Sequence, residues 1–302
     1  MPTDDRLSVV VPTRDRPALL RACLTSVLES VDEGDEVLVV DSASTDPAVA
    51  EVVAEAGVRY TRCELPGVCR ARNAGVRAAT HDLIAFVDDD VRVSRQWAGA
   101  VRTGLRSHPE AAFLTGRIDV PPGQDSGPRP VAVTTEQEPK VLDADSRGTL
   151  GHSANMAITR PAFDQIGGFD EELGAGGRFR SAPEVDLFDR LFAAGLTGRF
   201  EPDALAWHEQ WRTRRDLLRL EWSYGIGFGA RLAKLLRADP PRARGMAREY
   251  VWEGGLRVIP KAVRNRYELG VLLALTRVAG VGLGLSRAAF VPVRNGHLRP
   301  RE

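Results

Sequence analysis

Short apolar runs and amphipathic stretches alternate through the first third of the chain. Leu7–Val11 is a β-branched run closed by Pro12, and Ala18–Glu29 then carries Leu19, Leu20, Cys23, Leu24, Val27 and Leu28 at helical spacing. Val37–Val40 repeats the strand signal. A helix follows it, with Asp46 as N-cap and Pro47 in the first turn. A third strand, Leu83–Val87, runs into Asp88-Asp89-Asp90. Strand, helix, strand, helix, strand predicts an α/β fold on a mostly parallel sheet with right-handed crossovers.

Between Val120 and Gly151 the chain turns rich in Pro, Gly, Asp and Thr, which predicts a loop or a break between two halves. Beyond it come a strand-like Asn155–Ile158, a turn at Gly167–Glu171, and glycines at 174, 176 and 177. A helix over about Glu184–Ala194 and a strand over Ala204–Trp207 follow. After Trp211 the pattern is helical and basic to the end. The predicted organisation is one α/β region over 1–210, with halves 1–120 and 151–210, and a helical extension over 211–302. Gly225, Gly227 and Gly229, like Gly280, Gly282 and Gly284, fall in helical context with no strand before them. Close helix packing explains them better than a phosphate-binding loop.

Composition narrows the partners. The 302 residues hold 41 basic and 41 acidic side chains, a balance that argues against a nucleic-acid partner. The charge is unevenly spread, with 19 Lys and Arg against 8 Asp and Glu from Trp207 onward. There, Arg219, Arg231, Lys234, Arg237, Arg242, Arg244 and Arg248 interleave with Leu217, Leu218, Leu220, Leu232, Leu235 and Leu236. Such helices either pack through their leucines or lie on an anionic membrane surface. Arg277 interrupts the apolar run Leu269–Leu285 and argues against a spanning helix. Cys23, Cys63 and Cys69 make no disulfide framework, and the N-terminus lacks a secretory pattern. The expected location is the cytoplasm, peripheral to the inner membrane face if the basic region meets lipid.

In an open α/β sheet, ligands bind beyond the carboxyl ends of the strands. Three polar clusters sit at such ends: Pro12-Thr13-Arg14-Asp15, Asp41-Ser42-Ala43-Ser44 and Asp88-Asp89-Asp90. No GxGxxG follows the first strand. Three consecutive carboxylates repel one another unless a cation compensates, which points to a hard divalent ion, Mg²⁺ or Mn²⁺, able to bridge a diphosphate. Phe86–Val91 also fits the Asp-x-Asp-x-Val nucleophile loop of haloacid-dehalogenase-like phosphatases. Two strand–helix units precede it, however, and Lys140, Lys234 and Lys261 are poorly placed for that chemistry.

Taken in order, Val9–Arg14, Val39–Asp46, Ala71-Arg-Asn-Ala-Gly75, Phe86–Asp90, Gly168-Phe-Asp-Glu171, Glu184-Val-Asp-Leu187 and Pro202–His208 resemble the family-2 nucleotide-sugar glycosyltransferases of the GT-A fold. The resemblance implies metal-dependent, inverting transfer of a sugar to an acceptor hydroxyl. The nucleotide-binding half would be 1–120 and the acceptor half 151–210. Pro12, Thr13, Arg14 and Asp41 match positions around the base and ribose, and Arg72 and Asn73 a segment along the nucleotide. Asp88, Asp89 and Asp90 match the DxD region, with Asp88 and Asp90 as metal ligands and His208 completing the site. Asn155 and the Gly168–Glu171 turn resemble the acceptor lining, where a sugar, lipid-linked or small-molecule acceptor would sit. Family members often carry a Glu-Asp doublet whose second acid is the base. Here it reads Pro183-Glu184, so Glu184 and Asp186 both stand as candidates, and a non-catalytic nucleotide-sugar- or glycan-binding relative is the alternative.

Overall fold

The computed structural model describes residues 5–124, 131–146, 148 and 150–299. The chain forms two compact units, one of Met1–Phe169 with Leu187–Gln210, the other of Asp170–Asp186 with Trp211–Glu302. The segment 170–186, which the sequence pattern places with the α/β region, thus groups with the helical one.

The first unit contains β1 (Leu7–Thr13), α1 (Pro17–Leu28), β2 (Glu36–Ser42), α2 (Ala48–Ala56), β3 (Arg59–Cys63), α3 (Val68–Ala78), β4 (Leu83–Val87), β5 (Val91–Val93), α4 (Trp97–Ser107), β6 (Ala111–Asp119), β7 (Lys140–Leu142), β8 (Asn155–Thr159), α5 (Arg160–Gln165), α6 (Pro183–Ala193) and β9 (Thr197–His208). The α6 helix is continuous, with its first turn grouping with the second unit. Among the described residues, nine strands make one sheet in the order β3-β2-β1-β4-β8-β6-β9-β5, with β7 on β9. Its first four strands are parallel, as the pattern predicts. Beyond β4 the pairing turns mostly antiparallel, because β8 runs against both β4 and β6. The sheet is therefore mixed. Strand β7 lies inside the stretch expected to be a loop, whose residues 125–130, 147 and 149 fall outside the described ones.

Both faces of this sheet are covered, which is why β1, β2 and β4 read as nearly unbroken apolar runs rather than alternating ones. Val9, Val11, Val37, Val39, Ala85 and Val87 pack on Leu20 and Leu24 of α1, Val49 and Val53 of α2 and Trp97 of α4. Val10, Leu38, Val40, Ile84 and Phe86 face the other way, onto Cys69 of α3, Phe163 of α5 and Leu187, Phe188 and Leu191 of α6. Helix α2 starts one residue later than expected, with Pro47 rather than Asp46 as its N-cap, and Asp46 accepts a hydrogen bond from Ala48 N at 3.0 Å from just outside the helix.

In the second unit, α7 (Arg214–Ala238), α8 (Pro240–Ala247), α9 (Ile259–Arg264) and α10 (Glu268–Ala288) are followed by a small hairpin, β10 (Val293–Arg294) and β11 (His297–Leu298). The hairpin corrects the reading of an all-helical tail. Helices α7 and α10 run parallel: Glu221 pairs with Arg277, Gly225 meets Gly280, Gly229 meets Gly284, and Arg237 donates to Ala288 O. A β-carbon on Gly284 would sit 2.0 Å from Ile226 O. The glycines serve helix packing, as their context predicts. Leu217, Leu232 and Leu235 are buried, so these leucines pack within the unit. Among the described residues, α10 alone is long and apolar enough to cross a membrane, with Arg277 near its middle held by Glu221.

Candidate active site

The carboxyl ends of β1, β2 and β4 bring the three predicted clusters together. Thr13 Oγ1 donates to Asp89 Oδ2 at 2.8 Å. Asp15, at φ 54°, turns the chain after β1 and accepts from the backbone N–H groups of Thr45 and Asp46, tying the β1 loop to the β2 loop. That reversal brings Arg16 onto the acidic cluster, with Nη1 2.9 Å from Asp89 Oδ1 and 3.4 Å from Asp90 Oδ2. Arg14 is half-exposed and pairs with Asp15 instead. Pro12 is buried at the end of the strand.

Asp41 is held from three sides. Its carboxylate accepts from Ser44 N at 2.7 Å, from Tyr60 hydroxyl at 2.7 Å and from Arg62 Nη1 at 2.6 Å. Burial pushes its pKa up, but the Ser44, Tyr60 and Arg62 contacts outweigh this and the net direction is down. Asp89 goes the other way. Burial, opposed by Arg16 and reinforced by the neighbouring Asp90 charge, raises it to about 6.

Residues of α3 divide between two tasks. Arg72, 2% exposed, pairs with Asp88 and lies over the Phe169 ring at 5.3 Å. Asn73 clamps the Gly168-Phe169 turn, donating to Phe169 O at 3.0 Å and accepting from Phe169 N at 2.9 Å. Gly168 sits at φ 75°, where a side chain is strained and a β-carbon would lie 2.9 Å from Asn73 Oδ1. This clamp gives the Ala71–Gly75 and Gly168–Glu171 motifs a shared structural purpose.

Asp90 and His208 face each other because β5 pairs with β9 in the register Val91 to His208. His208 Nε2 lies 3.5 Å from Asp90 Oδ1, with both side chains 4% exposed. Gln210 Nε2 is 3.2 Å from His208 Nδ1, leaving Nε2 turned to the carboxylate. Among the described residues, no three His, Cys, Asp or Glu side chains close on one metal-sized position. One carboxylate oxygen and one imidazole nitrogen 3.5 Å apart suit a transition ion such as Mn²⁺ better than Mg²⁺, whose sites are built of oxygen, and the remaining donors would have to come from phosphates and water.

Asn155 does not line an acceptor site. It is fully buried, its amide donating to Arg117 O and Ala204 O and accepting from Trp97 Nε1 at 2.7 Å. In the second unit, Glu184 is half-buried on the first turn of α6, and Asp186 is 2% exposed and ion-paired with Lys234. Arg16, Tyr60 and Arg62 are the residues around these strand ends that sequence patterning missed.

Residues 8–167 match the family model described as Glycosyl transferase family 2. A pre-mycofactocin glycosyltransferase of Mycobacterium tuberculosis is 31% identical over 77% of this chain and 48% of its own, so the chain spans about half that relative's length. The TarS crystal structure from S. aureus aligns with a TM-score of 0.55 at 16% identity, covering 98% of this chain and 96% of that one. TarS has also been solved with UDP. GalNAc-T7, solved with UDP, GalNAc and Mn²⁺, aligns with a TM-score of 0.53 at 17% identity over 68% of this chain and 44% of its own. These likenesses fix the fold and displace the phosphatase reading of Phe86–Val91: the chain belongs to glycosyl transferase family 2.

Proposed function

We propose that this chain transfers a sugar from a nucleotide-diphosphate sugar, with UDP as the first nucleotide to test, to an acceptor hydroxyl with inversion at the anomeric carbon. The observation that carries this reading is the convergence of Thr13, Asp41, Arg72 and Asp88–Asp90 at three adjacent strand ends, with His208 against Asp90. Asp90 and His208 would hold Mg²⁺ or Mn²⁺, and Asp88 would lie beside them. When bound, that ion offsets charge growing on the leaving diphosphate. Arg16 and Arg72 add fixed positive charge to the same end of the sheet.

In the reaction the acceptor oxygen forms a bond to the anomeric carbon as the bond from that carbon to the diphosphate oxygen breaks. The acceptor proton goes to a carboxylate. Glu184 suits this better than Asp186, whose carboxylate is buried against Lys234. Pro183 occupies the place of the missing first acid and starts the helix instead, so Glu184 lies where the helix N-terminus favours negative charge. That Pro183 replacement is also what favours a binding-only relative, and turnover separates the two. Glu184→Gln should retain donor binding and lose transfer; equal transfer would remove Glu184 from the role.

For the acceptor we favour a molecule presented near a membrane. Leu256–Tyr267 carries Arg257, Lys261, Arg264 and Arg266 with no carboxylate, beside the exposed Trp252, Val263, Leu272 and Leu275. This moves the expected lipid contact away from the buried leucines of α7. The thiol side chains of Cys23, Cys63 and Cys69 accord with the reducing cytoplasmic side.

A further inference from the structure

The segment Asp170–Asp186 is irregular, with Gly174, Gly176, Arg180 and Ala182 all at positive φ, and it delivers Glu184. Its interior is anchored by Leu173 and Phe179, which pack with Ile226, Ala230 and Ala233 of α7. Both of its ends meet one cation on that same helix. Lys234 Nζ lies 2.8 Å from Asp170 Oδ2 and pairs with Asp186 Oδ1. All three side chains are under a tenth exposed, and Asp170 Oδ2 also accepts from Leu298 N at 2.8 Å.

We infer that Lys234 is a positioning residue for the transfer step, closing the Asp170–Asp186 segment into a fixed loop so that Glu184 is presented in one orientation. The inference rests on Glu184 being the base. Asp186 follows Glu184 by two residues on the first turn of α6, so fastening its carboxylate fixes the turn that carries Glu184. Two buried carboxylates without their ammonium would repel each other and draw water in, and the loop would open. Lys234 makes no demand on the donor, since the donor-binding groups assigned above lie on β1, β2, α3 and β4. Its loss therefore belongs in kcat and not in donor affinity. A misplacement of about 1 Å in a reacting group costs on the order of 100-fold in rate.

The test is steady-state transfer kinetics with UDP calorimetry on Lys234→Met, Lys234→Arg and the double variant Lys234→Met, Asp186→Asn, each checked for folding by circular dichroism. The double variant removes one stranded carboxylate and keeps the experiment readable if the single variant unfolds. Expected are a fall in kcat of about 10- to 100-fold in Lys234→Met and in the double variant, UDP affinity within about twofold of wild type, and substantial recovery in Lys234→Arg. Full kcat in a folded Lys234→Met or double variant overturns the inference, as does a parallel loss of UDP affinity. Glu184→Gln is run alongside. If it is inactive while the Lys234 variants are active, only the positioning role fails; if it is active, the base assignment fails and the positioning role falls with it.

Discussion

Asp41, within the last residues of β2, and Asp89, just beyond β4, show how one residue type is tuned in opposite directions. Asp89 is raised to about 6, chiefly by burial, while Asp41 is lowered by Ser44, Tyr60 and Arg62 despite its burial. A carboxylate whose folded pKa is depressed adds stability above its unfolded pKa, and that stability is lost as pH falls through the folded value. Asp41→Asn should therefore melt below wild type at pH 7, by on the order of 1–3 kcal/mol, with the gap constant to about pH 5 and closing below pH 4. Thermal melts across that range check it; a gap that widens in acid contradicts it. Thr13, Asp41 and Asp88–Asp90 were legible because strand ends in such sheets collect ligands. Arg16 was not, because only the left-handed turn at Asp15 sends it, rather than Arg14, back to the acids.

At the level of elements, two that patterning missed, β3 and α3, turn polar side chains inward, while α4 and β6 escaped it despite apolar inner faces. Strand β3 is an exposed edge, Arg-Tyr-Thr-Arg-Cys, and its Tyr60 and Arg62 reach Asp41. Helix α3 buries Arg72 and Asn73 where a core helix would bury leucines. No apolar period marks either, and both serve the site. Helices α7 and α10 were legible through their glycines, and those glycines separate into two kinds. A β-carbon at Gly284 would collide with Ile226 O, whereas at Gly282 nothing lies within 4 Å. Gly284→Ala should destabilise by about 1–3 kcal/mol through overpacking, and Gly282→Ala should be neutral or stabilising by up to about 1 kcal/mol. Melting curves of the two variants decide; equal effects would mean that the helices do not interlock at this seam. Breaking the Lys234 pairs should cost about 3–5 kcal/mol, so Lys234→Met is also expected to lower the melting temperature.

Over the whole molecule, the even total of 41 basic and 41 acidic residues hides a basic final third. Each cation at an anionic bilayer is worth on the order of 1 kcal/mol; Arg257 pairs with Glu253, and Lys261, Arg264 and Arg266 would supply the reversible attachment. Flotation with anionic but not neutral vesicles is expected, weakened by high salt and by the Lys261→Glu, Arg264→Glu pair. Flotation that ignores both lipid charge and these substitutions would contradict it, and a concentration-dependent dimer in sedimentation would assign the apolar side chains to a second copy.

The proposed chemistry depends on a cation shared between the acidic cluster and the diphosphate, since Arg16 and Arg72 are two positive charges against the three carboxylates Asp88, Asp89 and Asp90 and the leaving group would add to that negative excess. Titration calorimetry of UDP into wild type and Asp90→Asn, each with Mn²⁺ or with EDTA, tests this most directly. The prediction is a wild-type affinity that falls at least about 10-fold in EDTA, a loss of about 1.4 kcal/mol or more, and an Asp90→Asn affinity that is already low and indifferent to Mn²⁺. Equal UDP affinity in all four titrations would contradict it.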